Sequence, residues 1–85
     1  MPNIVIYTKP ICPYCVKAKN LLKIKGVEQW EEIDISANPD KLTEMLDKSN
    51  GARTVPQIFI GDTHVGGFDD LDALNNAGNL DKLLD

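Results

Sequence analysis

The sequence predicts an α/β fold, a four-stranded mixed sheet flanked by helices in the order β-α-β-α-β-β-α with a short helical tail. Two observations carry this. Residues 3 to 35 read as strand, helix, strand, the βαβ unit that makes parallel neighbours with a right-handed crossover. Residues 57 to 65 read as two short strands around a tight turn, an antiparallel hairpin, so the sheet must mix both senses. With 85 residues, no linker and no long-period repeat, residues 1 to 85 are expected to form one domain around one core.

Asn3-Ile4-Val5-Ile6-Tyr7 is rich in β-branched residues and apolar on both faces, as a strand in the middle of a sheet must be. Pro13 suits the first turn of a helix, and Val16, Ala18, Leu21, Leu22 and Lys25 recur at helical spacing until Gly26 stops it. Cys12 is thereby set at a helix N-terminus. Gln29 to Ile35 is the second strand. Asn38-Pro39-Asp40 combines an N-cap, a first-turn proline and an acid, and Leu42, Met45 and Leu46 form the apolar stripe of a second helix. Gln57 to Ile60 and Thr63 to Val65 flank the Gly61-Asp62 turn, and Gly66-Gly67 should break the hairpin. Asp69 and Asp70 suit the positive end of the dipole at the start of a helix bearing Leu71, Ala73 and Leu74, which Gly78 ends. Asn79 is placed to cap a last turn with Leu80, Leu83 and Leu84.

Composition narrows the function classes. With 42% hydrophobic and 26% charged residues the chain can bury a core, which a disordered sequence cannot. Its longest apolar run ends at Tyr7 after about five residues, far short of the roughly 18 to 20 that span a bilayer, so no membrane partner and a cytoplasmic location are expected. A net charge of -4 and a pI near 4.8 argue against nucleic acid, whose phosphates need a basic face. The charge is also uneven. Residues 1 to 27 hold Lys9, Lys17, Lys19, Lys23 and Lys25 and no acid, which leaves -9 for the remainder. The four lysines after Cys15 read as a solvated helix face, and His64 as a solvent-facing strand residue.

The two cysteines carry the chemistry. A bridge between Cys12 and Cys15 closes too short a loop to restrict the unfolded chain, so it is no structural staple. Zinc wants four N or S ligands and the pair finds only His64 besides, so no metal is expected. C-x-x-C at the mouth of the helix in a βαβ unit reads instead as a thiol-disulfide redox pair. The thiolate is the attacking species, and a thiol with pKa near 8.5 is only a few per cent ionised at neutral pH. Free N–H groups at the helix start, those of Tyr14 and Cys15, are expected to face the Cys12 sulfur and favour its anion. The dipole supplies about 0.3 to 2 kcal/mol, whereas lowering a pKa by about three takes roughly 4 kcal/mol, so other donors must contribute. Lys9, three residues before Cys12, is either such a donor or a solvated loop lysine.

Taken together, Lys9, Cys12-Pro13-Tyr14-Cys15, Thr54-Val55-Pro56 and Gly66-Gly67-Phe68-Asp69-Asp70 resemble, in order and spacing, a small bacterial dithiol glutaredoxin across essentially the whole chain. A thioredoxin would more often carry Gly-Pro between the cysteines and Trp before the first, where this chain has Ile11. The resemblance implies a thioredoxin-like fold that binds glutathione in a groove beside Cys12. It implies a cis-proline at Pro56 in the Thr54-Val55-Pro56 segment, with the Val55 backbone pairing like a strand with the glutathione cysteinyl unit. Lys9 with Arg53 or Gln57 would meet the glycine carboxylate, and Tyr14 and Phe68 would lie along the groove. Gly67 would allow close approach, and N–H groups near Asp69, with the Asp69 or Asp70 carboxylate, would take the γ-glutamyl end. Either aspartate taken singly is equally a simple cap. Phe68 stands where many relatives carry Cys, which removes third-cysteine chemistry, and Arg53 is an unusually basic neighbour for the Thr-Val-Pro turn.

The implied activity is that of a glutathione-dependent thiol-disulfide oxidoreductase acting on protein-glutathione mixed disulfides and protein disulfides. Cys12 would attack and Cys15 resolve, in a monomer that holds no cofactor tightly and uses glutathione as reductant. Two rivals differ in kind. A redoxin reduced by thioredoxin reductase should lack glutathione-holding charges, and Lys9 with Asp69-Asp70 speaks against it. An iron-sulfur scaffold would share a cluster between two chains and two glutathiones through Cys12, and Pro13 weighs against that because cluster-assembling glutaredoxins usually carry a smaller residue there.

Overall fold

The computed structural model describes residues 2–85, and a four-stranded sheet in the order β2-β1-β3-β4 forms its centre. Strand β1 (Ile4–Thr8) pairs in parallel with β2 (Glu31–Asp34) and antiparallel with β3 (Gln57–Ile60), which pairs antiparallel with β4 (Thr63–Gly66). Because β1 is interior, both of its faces must be covered, and its residues are apolar on both faces as predicted. Ile4 and Ile6 join Ala18, Leu22, Ile58, Ile60 and Leu71 in one core, while Val5 and Tyr7 face a second one with Ile35, Met45 and Phe59. The first core lies under helix α1 (Pro13–Ile24), helix α3 (Phe68–Asn76) and the short α4 (Leu80–Leu84); the second lies under α2 (Pro39–Lys48).

The helix signals act where they stand. Asn38 Oδ1 accepts the Asp40 N–H at 2.9 Å with Pro39 in the first turn, as predicted for α2. Helices α1, α2 and α3 each end on a left-handed residue, Gly26, Asn50 and Gly78, and the next N–H reaches back to a carbonyl of the last turn: Val27 to Leu22 at 2.9 Å, Gly51 to Leu46 at 2.8 Å, Asn79 to Leu74 at 2.9 Å. The two glycine stops were legible; Asn50 was not, because asparagine signals several local geometries.

Some boundaries differ from expectation. Strand β2 covers Glu31–Asp34 instead of residues 29 to 35, since only these residues lie opposite Val5 to Thr8; Trp30 leaves the ladder to pack on the first core. Gly66 does not break the hairpin but ends β4: an irregularity in the β3/β4 register sets it opposite Ile58 while His64 faces Phe59. Asn79 makes no side-chain cap. It lies in the helical region already, φ -92° and ψ -17°, and its backbone serves both the end of α3 and, through its carbonyl, the Leu83 N–H at 3.3 Å. On α1 the buried stripe is Cys15, Ala18 and Leu22; Val16 is 51% exposed, one step off it.

The charge asymmetry along the chain is partly resolved in space. Lys19 Nζ meets Glu32 at 3.1 Å and Lys25 Nζ meets Asp81 at 2.8 Å, so lysines of α1 pair with acids from the acidic remainder. At the edge of the second core, the Tyr7 hydroxyl donates to Glu44 Oε2 at 2.6 Å. Burial, then that bond, push the Tyr7 phenol well above its ordinary range, and the same bond holds the Glu44 carboxyl below its own.

Candidate active site

Cys12 is the N-cap of α1, with extended backbone at φ -130° and ψ 99°. Two neighbours set it there. Pro13 presets a helical φ and has no N–H to leave unpaired, while Ile11 takes a left-handed φ of 55° that turns the chain from the β1 exit into the helix. For a β-branched side chain that backbone is strained, and the Ile11 side chain is wholly exposed beside the cysteine. The Cys15 N–H donates to Cys12 Sγ at 3.2 Å. Of the two amides expected to face the sulfur only this one does, because the Tyr14 N–H makes no such bond among the described residues.

The two sulfurs are joined as a disulfide, with Cα atoms 5.2 Å apart, so the structure is that of the oxidised chain. Cys15 is 2% exposed and Cys12 partly exposed. Of the two cysteines, only Cys12 is open to solvent. Its Sγ lies 3.8 Å from the Val55 carbonyl oxygen, a plain contact while the sulfur is bridged and an S–H···O bond only for a reduced, protonated thiol.

A groove of about 530 Å³ runs beside the pair, lined by Tyr14, Ala52, Thr54, Val55, Pro56, Gln57, His64, Gly66, Gly67, Phe68, Asp69 and Asp70. It thus brings together nine of the residues that the resemblance implies for glutathione. Lys9 lies with Cys12 and Cys15 along an adjoining cleft of about 260 Å³, and Arg53, exposed, lines neither hollow. The Val55–Pro56 peptide is cis, and neither the N–H nor the C=O of Val55 pairs with another backbone group among the described residues. The rings of Tyr14 and Phe68 are 6.3 Å apart, and Lys17 Nζ lies 5.1 Å from the Tyr14 centroid.

The two aspartates, equivalent in sequence, part company. Asp70 Oδ2 accepts the Gly67 N–H at 3.0 Å, the acidic half of a capping box; Gly67, the N-cap, has no side chain to supply the other half. Among the described residues the Phe68, Asp69 and Asp70 amides at the start of α3 have no acceptor and the Asp69 carboxylate has no partner. Gln57 is only 3% exposed, and its carboxamide is engaged: Nε2 donates to the Thr54 carbonyl at 3.0 Å and lies 3.3 Å from Thr54 Oγ1, while Oε1 lies 2.7 Å from His64 Nε2. His64, exposed as predicted, is no bystander. Its ring stacks on Phe59 with centroids 4.8 Å apart. The signal was available, since a two-residue turn at Gly61-Asp62 sets Phe59 opposite His64 and puts Gln57 on the same face.

Charge in the Cys12 cleft is balanced unevenly. Burial would raise the Glu32 carboxyl, but hydrogen bonds from Trp30 and Lys19 together with the Lys19 charge outweigh it and hold Glu32 low. Asp34 is held low by the Ser36 hydroxyl at 2.6 Å and the Ser36 amide at 2.8 Å. Lys19 is committed to Glu32, which leaves Lys9 as the unpaired ammonium lining the cleft among the described residues.

The family model of glutaredoxin matches residues 4–65. The chain is 55% identical over 84 residues to a glutaredoxin of Pseudomonas aeruginosa, covering 99% of this chain and 98% of that one. It is 54% identical over 84 residues to glutaredoxin 3 of Escherichia coli, covering 99% of each. Among solved structures it superposes on the glutaredoxin of Brucella melitensis with a TM-score of 0.83 at 55% identity, over 99% of this chain and 89% of the other. The buckwheat glutaredoxin-glutathione complex matches with a TM-score of 0.85 at 29% identity, over 98% of this chain and 76% of that one.

Proposed function

The chain belongs to the glutaredoxin family and so is a thiol-disulfide oxidoreductase, and on that premise we propose that Cys12 is its nucleophile, Cys15 its resolving thiol and the Tyr14-to-Asp70 groove its glutathione site. The observation that carries the reading is the unequal burial of the two sulfurs beside that groove. The Cys12 thiolate attacks the glutathione sulfur of a protein-glutathione mixed disulfide, the protein leaves as a thiolate, and Cys12 is left bonded to glutathione. A second glutathione thiolate attacks that sulfur, giving glutathione disulfide and restoring Cys12. With a protein disulfide, Cys12 first forms a mixed disulfide with the protein. The Cys15 thiolate then attacks Cys12 Sγ, expels the second protein thiolate and closes the Cys12–Cys15 bridge, which two glutathiones reopen.

The Cys15 amide, the α1 terminus and the unpaired Lys9 ammonium act together on the Cys12 anion, which makes up what the dipole alone lacks. In the groove the unpaired N–H and C=O of Val55 suit a strand-like pairing with the cysteinyl residue of glutathione. The free amides of α3 suit the γ-glutamyl carboxylate and Asp69 its ammonium. Lys9, with Arg53 as the longer reach, takes the glycine carboxylate. Gln57 lines the groove, but its carboxamide is already engaged and is not free to take a ligand. We place this activity in a cytoplasmic monomer with residues 1 to 85 as one working unit, taking its substrates from disulfide-bearing or glutathionylated proteins. No described helix is long and apolar enough to cross a membrane. The direct test is reduction of a small glutathione mixed disulfide with glutathione, NADPH and glutathione reductase, repeated with thioredoxin reductase in their place. Turnover with the first set and none with the second is expected, and the converse would overturn the reading.

A further inference from the structure

The wall of the groove is held by a short relay. The Thr54 carbonyl can only accept, so the Gln57 nitrogen must face it, and the Gln57 oxygen must then face His64. An amide oxygen cannot donate. His64 Nε2 therefore carries a proton, and the 2.7 Å contact is an N–H···O bond whose ring partner is fixed by the Phe59 stack. Without that donor the Gln57 oxygen, on a side chain 3% exposed, would have no partner, and the carboxamide would be free to turn away from Thr54.

We infer that His64 is a positioning residue for the thiol chemistry: through Gln57 it holds the Thr54-Val55 segment in the posture that receives glutathione. The inference rests on the groove reading above. It predicts an effect chiefly on recognition, because the relay bonds neither Cys12 nor the start of α1 and reaches the sulfur only through the 3.8 Å contact of the Val55 carbonyl. His64→Phe keeps an aromatic ring on Phe59 and removes the donor; His64→Gln returns an N–H at nearly the same reach.

The experiment has two parts. Long-range ¹H–¹⁵N spectra of the oxidised wild-type chain should show His64 protonated at Nε2, with one Gln57 side-chain amide proton protected from exchange. Steady-state kinetics with a glutathionylated peptide should then show His64→Phe raising KM about three- to tenfold at unchanged kcat and unchanged Cys12 thiolate titration, with His64→Gln within about twofold of wild type. A His64 ring protonated only at Nδ1, a KM for His64→Phe within twofold of wild type, or a failure of His64→Gln to restore it would each overturn the inference. Loss of folding in His64→Phe would leave the spectra of the wild type to decide. Failure of the groove reading looks different: it would appear in the wild type alone, as equal KM for the glutathione and cysteamine mixed disulfides of one peptide.

Discussion

Gly66→Ala tests whether the hairpin and the start of α3 are built as one unit. Gly66 has φ 111°, a left-handed backbone that costs an L-residue about 1 to 2 kcal/mol. An added Cβ would also fall 2.9 Å from Asp70 Cγ and 3.2 Å from Asp70 Cβ, and closer still to the carboxylate oxygen that accepts the Gly67 amide. The carboxylate must move, and the half capping box it forms is worth about 1 kcal/mol. The single change should therefore cost about 2 to 3 kcal/mol, or roughly 10 to 20 °C in midpoint for a domain of this size. Asp70→Ala alone should cost about 1 kcal/mol. The double variant should cost about the same as Gly66→Ala, because the carboxylate that the methyl displaces is already gone. Urea unfolding of the four chains, at constant m, measures this directly. Additive costs, to within about 0.5 kcal/mol, would show that the methyl and the cap are independent and refute the steric argument.

Cys12→Ser should abolish all turnover, while Cys15→Ser should keep deglutathionylation and lose protein-disulfide reduction; equal loss in both assays would contradict the division of labour. Asp69→Asn should raise KM for glutathionylated substrates about fivefold at low salt, and Asp70→Asn should act mainly on stability, since its carboxylate is engaged in the cap. Added salt should shrink the Asp69 effect, and a larger KM effect from Asp70→Asn would reverse the assignment. Tyr7→Phe should cost about 1 to 2 kcal/mol at neutral pH by removing a buried hydroxyl's bond to a carboxylate. Because that bond lowers the folded Glu44 pKa, its contribution is full above the unfolded carboxyl value and is lost as pH falls through the folded one. Because the Tyr7 phenol is raised, wild type should also lose stability as pH rises above the ordinary phenol range, and Tyr7→Phe should not; parallel stability curves for the two chains at both ends of the pH range would refute the pairing.

The features legible before folding lie within a few residues of each signal. The covering of both faces of β1, the Pro13 and Pro39 helix starts, the Gly26 and Gly78 stops and the hairpin turn are all local, as is the placing of Cys12 at a helix mouth. Each depends on backbone sterics or periodicity that neighbours settle without help from the rest of the chain. The groove's lining was implied only by the resemblance of the Cys, Thr-Val-Pro and Gly-Gly segments to glutaredoxins. Tertiary structure decided what distant segments do to one another. It made Asp70 a cap and left Asp69 unpaired, paired Lys19 with Glu32 so that Lys9 remained, and joined Tyr7 to Glu44 across 37 residues. It also drew His64 behind Gln57, where an exposed strand residue acquired a buried partner. The physical reason is that a side chain's charge and hydrogen-bonding capacity are written in the sequence, whereas which groups compete for it depends on a register and a packing that only the closed sheet sets.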